Sequence, residues 1–251
     1  MPAITTHHFS SEILIKTCPL PSSMISRKGN PLPQVHHHDH HDRHDRLQRS
    51  LTVTATAIEP LSALIKRNKK HLEYNVMERL IESIGHQLQG LERENKGIST
   101  FHLDDITAFH VTTEDATTVI YFAITNDEHI HDINEDNNIV ITGPYSSSRS
   151  ITTKASSTPP FYSPEFKEFL AKKTLPYEIH FKSGHYSFGL LCLYCYVSRS
   201  AAAAPLDTAT TTLDTATTLD TTLDPIINTK IYWFLKQVLQ KDPRERRFLC
   251  A

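Results

Sequence analysis

The periodicity of apolar positions is clearest in a segment from about Glu73 to Glu94. Its apolar residues recur every three or four positions and form one stripe: Val76, Leu80, Ile84, Leu88 and Leu91. That spacing places side chains on one face of an α-helix, and Gly97 follows where a helix end is expected. The pattern therefore predicts an amphipathic helix here, a short helix before it over 60–68, and a second amphipathic helix over 226–239.

Short runs of β-branched and apolar residues predict strands. Three of these runs follow the long helix, over 107–111, 119–124 and 139–142, and polar turns separate them. Two further candidates precede the helix, at Ile13–Lys16 and over 51–57, where threonine alternates with apolar residues. The sequence thus predicts a mixture of helices and short strands.

The segment from Phe188 to Val197 is apolar on every side. A membrane helix needs about 20 apolar residues, so this shorter run predicts a buried core helix. It contains Cys192 and Cys195 at Cys-x-x-Cys spacing. Inside an apolar run, such thiols are expected to pack as small hydrophobic side chains instead of binding a metal.

Two segments of low complexity interrupt these patterns. Residues 1–50 are polar and rich in proline, and they predict a largely disordered N-terminal region. Residues 201–225 repeat Leu-Asp-Thr imperfectly without an aromatic residue, which predicts a flexible insertion. The first segment contains a histidine-rich tract: His36, His37, His38, His40, His41 and His44, with Asp39, Asp42 and Asp45. Such a tract can hold Zn²⁺, Ni²⁺ or Cu²⁺, but a defined site needs fixed geometry, so the sequence predicts no metal site.

Glycine is scarce, since the chain of 251 residues has 7, whereas average usage gives roughly 17 or 18. Neither of the glycine-rich phosphate loops, G-x-G-x-x-G and G-x-x-x-x-G-K-[ST], occurs, which disfavours the nucleotide enzymes that use them. The formal net charge of −2 calls for neither a nucleic acid nor an anionic membrane as a partner. Residues 1–10 lack a cationic segment followed by an apolar core, so we expect a cytoplasmic protein without a secretory signal.

Five short motifs occur in one order along the chain: Lys96-Gly97-Ile98, His102-Leu103-Asp104, Ser163-Pro164-Glu165, Tyr186-Ser187-Phe188-Gly189 and Asp242-Pro243-Arg244-Glu245-Arg246. This order resembles the C-terminal lobe of protein kinases, whose landmarks are His-Arg-Asp, Ala-Pro-Glu, a Trp-Ser-x-Gly helix and Asp-Pro-x-x-Arg. The resemblance covers residues 51–249, interrupted by the insertion over 201–225. It implies an α+β fold, namely a mainly helical kinase-like C-lobe with a vestigial N-lobe and disordered insertions.

The resemblance also implies a structural ion pair. In kinases the glutamate of Ala-Pro-Glu pairs with the arginine of Asp-Pro-x-x-Arg, and these positions are Glu165 and Arg246 here. Burying either charge alone would be costly, so the two are expected together. The run Phe188–Val197 corresponds to the hydrophobic helix that organises the kinase lobe, but the aspartate expected before Tyr186 is Gly184.

Most residues that phosphoryl transfer needs are missing from the positions that the resemblance assigns to them. The catalytic aspartate is present as Asp104, but the family's lysine and asparagine further along the motif are Ile106 and Phe109. The metal-binding Asp-Phe-Gly aligns with Tyr121-Phe122-Ala123, which offers a phenol where Mg²⁺ prefers an anionic oxygen. Lys16 lies in a strand-like run, but too little chain precedes it for a glycine loop, and we interpret it as a chance lysine.

We therefore predict a catalytically inactive kinase-like domain, a pseudokinase, that acts in protein interaction or regulation with a protein partner and without a cofactor. The alternative is an atypical ATP-dependent serine/threonine kinase that uses Asp104, with ATP and Mg²⁺ as cofactors. It would recruit a metal ligand from nearby carboxylates, which we otherwise expect to be solvated loop charges: Asp105, Asp115, Asp127 and Glu128. A third interpretation is a decaying or fragmentary gene with no selected activity.

Overall fold

The computed structural model describes residues 12–16, 50–68, 72–113, 115–143, 161–172, 174–197, 223 and 226–248. The chain divides into two compact units, residues 1–55 and residues 56–251. The histidine-rich tract lies outside the described residues, and so does the predicted insertion over 201–225 except for Leu223.

The first unit contains one antiparallel pair, β1 (Glu12–Lys16) and β2 (Ser50–Thr54). The single strand predicted over 51–57 is therefore wrong, because the chain leaves β2 after Thr54 and begins β3 (Ala57–Pro60) in the second unit. Ala57 pairs with His110, a residue far along the chain. The alternation of threonine and apolar residues continues across the junction, so periodicity could not show that its two ends have different partners.

The described part of the second unit contains five α-helices: α1 (Leu61–Arg67), α2 (Tyr74–Arg93), α3 (Pro164–Lys172), α4 (Ser183–Val197) and α5 (Lys230–Val238). The predicted helices over 60–68 and 73–94 correspond to α1 and α2. The third predicted helix begins later than expected, because the Thr229 side chain accepts a hydrogen bond of 3.1 Å from the Tyr232 N–H. This contact caps the helix and fixes its first turn at Lys230.

All the strand pairs of the second unit that the structure describes are antiparallel. The largest sheet has the order β3-β5-β6, with β5 at Ile106–Thr112 and β6 at Thr118–Ile124. Two smaller sheets pair β4 with β7 and β8 with β9, and their strands are Lys96–Ile98, Ile130–Asp132, Asn138–Ile141 and Tyr177–His180. The described residues thus form an α+β structure of helices and small antiparallel sheets.

The hydrophobic core of this unit is built around α4. Phe188 is fully buried, and its ring lies 5.6 Å from that of Phe101 and 6.1 Å from that of Phe234 on α5, measured between centroids. The stripe of α2 also enters this core, although Val76 and Leu91 at its ends are only partly buried. A second, smaller cluster joins α3 to β8 and β9 through Ile139, Ile141, Phe166, Phe169 and Ile179.

Helix α4 buries its two cysteines completely. Cys192 and Cys195 are free thiols with no exposed surface, and burial raises the pKa of both. Thiols of raised pKa form little thiolate, so this Cys-x-x-Cys pair packs as two small apolar side chains. Among the helices that the structure describes, none combines the length and the apolar character needed to cross a membrane.

Candidate functional site

Asp104 lies in a short 3-10 turn, Leu103–Asp105, between β4 and β5. Its side chain is exposed, and its carboxylate accepts a hydrogen bond from the Ser62 hydroxyl on α1. Ile106 and Phe109 are buried inside β5. The two positions at which kinases have a lysine and an asparagine are thus part of the core, and their side chains offer no ligand atom.

The triplet Tyr121-Phe122-Ala123 lies inside β6, where its residues pair with Phe109, Ala108 and Thr107 of β5. The triplet is therefore part of the sheet and not of a loop, because β6 continues to Ile124 and the loop begins at Thr125. The other candidate for a phosphate contact, Lys16, ends β1 in the first unit.

Asp105 differs from the solvated loop charge that the sequence predicts. Only 4% of its surface is exposed. One carboxylate oxygen accepts the His102 backbone N–H at 2.6 Å, and the other accepts the Asn126 side-chain amide at 2.7 Å. The prediction was wrong because the spacing His102-x-x-Asp105 forms a capping box, in which the acidic side chain turns back to the start of the 3-10 turn. Asp115, Asp127 and Glu128, in contrast, are exposed.

Two histidines lie beside this buried aspartate. One ligand atom from each of His102, Asp105 and His129 can be chosen so that all three lie within 4.8 Å of one another. The imidazole rings of His102 and His129 have their centroids 5.4 Å apart at an interplanar angle of 47°. We call these three residues the histidine–aspartate cluster. Sequence reasoning missed it because two strands of β-sheet separate His129 from the other two along the chain.

The histidines near this cluster have shifted acidities. Burial lowers the pKa of His129, which the Asp105 carboxylate opposes and the neighbouring His102 reinforces. Burial also lowers the pKa of His131, whose ring lies 3.2 Å from the Ser99 hydroxyl. The main chain is fixed as well, because the carbonyl of His129 accepts the Ser99 N–H at 3.0 Å.

The structure brings Glu165 and Arg246 together in an ion pair. Arg246 has no exposed surface, and its Nη2 atom lies 2.6 Å from Glu165 Oε1. The same guanidinium donates to the backbone carbonyl oxygens of Lys182, Gln240 and Lys241 at 2.8–3.2 Å. One side chain thereby joins the start of α3, the turn before α4 and the segment after α5.

No protein-family model matches the chain, and no curated protein matches it significantly. The kinase resemblance therefore remains a prediction from the sequence motifs.

Proposed function

We propose that residues 51–249, interrupted by the insertion over 201–225, form a kinase-like C-terminal lobe without phosphotransfer activity, and that this pseudokinase acts in protein interaction or regulation. The contact between Glu165 and Arg246 carries the proposal. The resemblance ties that pair to the framework of the lobe and assigns it no part in the chemistry.

The electrostatics of the pair support a framework role. Removing an arginine from water costs several kcal/mol unless its donors are paired. Arg246 offers donors to one carboxylate and three carbonyl oxygens, so its cost is offset only when these separate segments are in place. The buried arginine therefore requires a specific tertiary structure, in which all of these segments are folded together.

The surroundings of Asp104 support the loss of catalysis. Phosphoryl transfer depends on positioned cations and on metal ligands around the phosphates. Ile106 and Phe109 supply neither, since both are apolar and buried in β5. Asp104 therefore gains no help from these two positions in holding Mg²⁺ or the phosphates.

One observation favours the alternative, an atypical ATP-dependent serine/threonine kinase. Asp104 is exposed, and its carboxylate accepts a hydrogen bond from the Ser62 hydroxyl. A catalytic base contacts a substrate hydroxyl through the same kind of hydrogen bond. ATP and Mg²⁺ would then have to be bound by residues outside the motifs that the resemblance supplies.

A phosphotransfer assay on the full chain separates the two proposals. With radiolabelled Mg·ATP and a general protein substrate, we expect no incorporation by the wild-type chain and no rise in its thermal midpoint at millimolar ATP. Incorporation that Asp104→Asn abolishes and the exposed control Asp115→Asn preserves would overturn the pseudokinase proposal in favour of the kinase.

Proximity labelling in cells tests the interaction role. Proteins enriched by the wild-type chain are expected to remain enriched with Asp104→Asn and to be lost with Arg246→Met, which removes the framework contact. Equal loss with both variants would instead tie the interaction to the catalytic aspartate.

A further inference from the structure

The histidine–aspartate cluster contains the donor atoms that bind transition metals. Imidazole nitrogen and carboxylate oxygen are common Zn²⁺ ligands, at about 2.0–2.2 Å from the ion. Around a tetrahedral ion, such ligand atoms lie about 3.3 Å apart. The ligand atoms of His102, Asp105 and His129 lie within 4.8 Å of one another, so donors from two separate segments of the chain converge at one place.

The carboxylate of this cluster is held in a fixed orientation. Its two oxygens accept from the His102 N–H at 2.6 Å and from the Asn126 amide at 2.7 Å. An ionised carboxylate has about four lone-pair sites, so each oxygen keeps one for a metal. Supporting hydrogen bonds of this kind orient the ligands of metal sites.

The His102 side chain and the main chain of His129 are also held by hydrogen bonds. The His102 side chain accepts a hydrogen bond from the backbone N–H of Asp105, which is the second contact of the capping box. The main chain of His129 is held by the hydrogen bond that its carbonyl accepts from the Ser99 N–H at 3.0 Å.

We propose that His102, Asp105 and His129 bind one divalent transition-metal ion, with Zn²⁺ as the best match, and leave one coordination position open. Two histidines and one carboxylate suit Zn²⁺ better than Mg²⁺, which prefers oxygen ligands. Three protein ligands with a fourth position for water or a substrate are typical of catalytic zinc sites, whereas structural sites are closed by four. This inference goes beyond the proposed function and does not depend on it.

A competing arrangement is a purely hydrogen-bonded network in which an imidazole donates to the Asp105 carboxylate. Metal binding by the full chain distinguishes the two, but the histidine-rich tract would obscure it. The protein to use is therefore the full chain with the six tract histidines replaced by serine (His36, His37, His38, His40, His41 and His44). Titration of this variant with Zn²⁺ by calorimetry should show one zinc ion bound per chain, and Zn²⁺ should raise its thermal midpoint.

Single substitutions in that background assign the site. His129→Asn should weaken Zn²⁺ binding at least tenfold and abolish the rise in thermal midpoint. His86→Asn, which changes an exposed histidine on α2, should leave both unchanged. Equal affinities for the two variants, or no stoichiometric binding by the tract-free chain, would overturn the proposal.

X-ray absorption at the zinc edge needs no substitution in the cluster and covers the case in which His129→Asn does not fold. The tract-free chain with bound Zn²⁺ should show two imidazole nitrogens at about 2.0 Å. A spectrum with no imidazole, or with cysteine sulfur, would contradict the assignment.

Discussion

The side chain of Arg246 contacts several separate parts of the chain. Its guanidinium donates to the Glu165 carboxylate and to main-chain carbonyls of Lys182, Gln240 and Lys241. It also lies 4.8 Å from the centroid of the Tyr186 ring, in reach of a cation–π contact. Because removing the arginine takes a donor away from all of these separate segments at once, the effect on stability should be large.

Arg246→Met should lower the free energy of unfolding by about 3–5 kcal/mol, since it leaves the Glu165 charge without its guanidinium partner and removes one donor from each of three carbonyl oxygens. Glu165→Gln, which removes the charge and keeps the shape, should cost about 1–3 kcal/mol. Chemical denaturation measures both. Glu168→Gln changes an exposed glutamate on the same helix and should stay within about 0.5 kcal/mol of wild type. A similar stability for Arg246→Met and Glu168→Gln would contradict the framework role.

Close packing of elements depends on two glycines of α4. A Cβ added at Gly184 would lie 2.4 Å from the backbone oxygen of Ile98 in β4. A Cβ added at Gly189 would lie 2.6 Å from the Val238 side chain of α5. The helix can therefore approach β4 and α5 at these distances only without a side chain at either position.

The two glycines should respond differently to alanine. Gly189→Ala should cost about 1–3 kcal/mol by overpacking, and Val238→Ala should relieve part of that cost in the double variant. Denaturation of the double-mutant cycle should give a favourable coupling of about 0.5–3 kcal/mol. For Gly184→Ala the clash is with the main chain, so trimming the neighbouring side chain by Ile98→Val should give no such relief. Additive effects at Gly189 and Val238 would contradict the close contact.

The sequence predicts the elements whose apolar residues repeat over several turns, and misses those without a repeat. The ends of α2 lie within one residue of the prediction because its stripe is long. The start of α4 was missed because Ser183 and Ser187 are buried through hydrogen bonds, to the Ser99 carbonyl at 2.9 Å and from the Phe101 N–H at 2.7 Å. Hydropathy treats such serines as surface residues. Strands of three or four residues, such as β4 and β7, are too short to show any period.

The same reasoning applies to the candidate sites. The Glu165–Arg246 pair was expected because the resemblance names both positions. The histidine–aspartate cluster has no such precedent, and its aspartate is buried only because the His102 N–H and the Asn126 amide satisfy its oxygens. Pairing of this kind depends on tertiary structure, which a linear pattern does not contain.

At the scale of the whole second unit, polar contacts connect the two hydrophobic clusters. The Ser163 and Ser183 hydroxyls lie 2.6 Å apart, and Ser183 donates to the Ser99 carbonyl. Close to these contacts, burial lowers the pKa of His180, and the cations Lys182 and Arg246 lower it further. The stability of the unit should therefore depend on pH on the acid side.

The direction of this pH dependence follows from the protons that the folded and unfolded states bind. The pKa of His180 is lower in the folded state than the ordinary value of 6.5, so the unfolded chain binds the proton first as the pH falls. The contribution of His180 is thus complete above about pH 6.5 and is lost as the pH falls below it. The thermal midpoint should fall between pH 7.5 and 5.5, and His180→Asn should reduce the fall. The exposed His86→Asn is the control, and an equal fall in both variants would contradict this role.

The Glu165–Arg246 contact also sets an order in time. Glu165 precedes Arg246 by 81 residues, and a ribosome adds about 5–20 residues per second. Arg246 is therefore synthesised about 4–16 seconds after Glu165. Until Arg246 has been synthesised, the contact that joins α3, the turn before α4 and the segment after α5 cannot form, so these three parts of the unit are connected only after residue 246 has emerged.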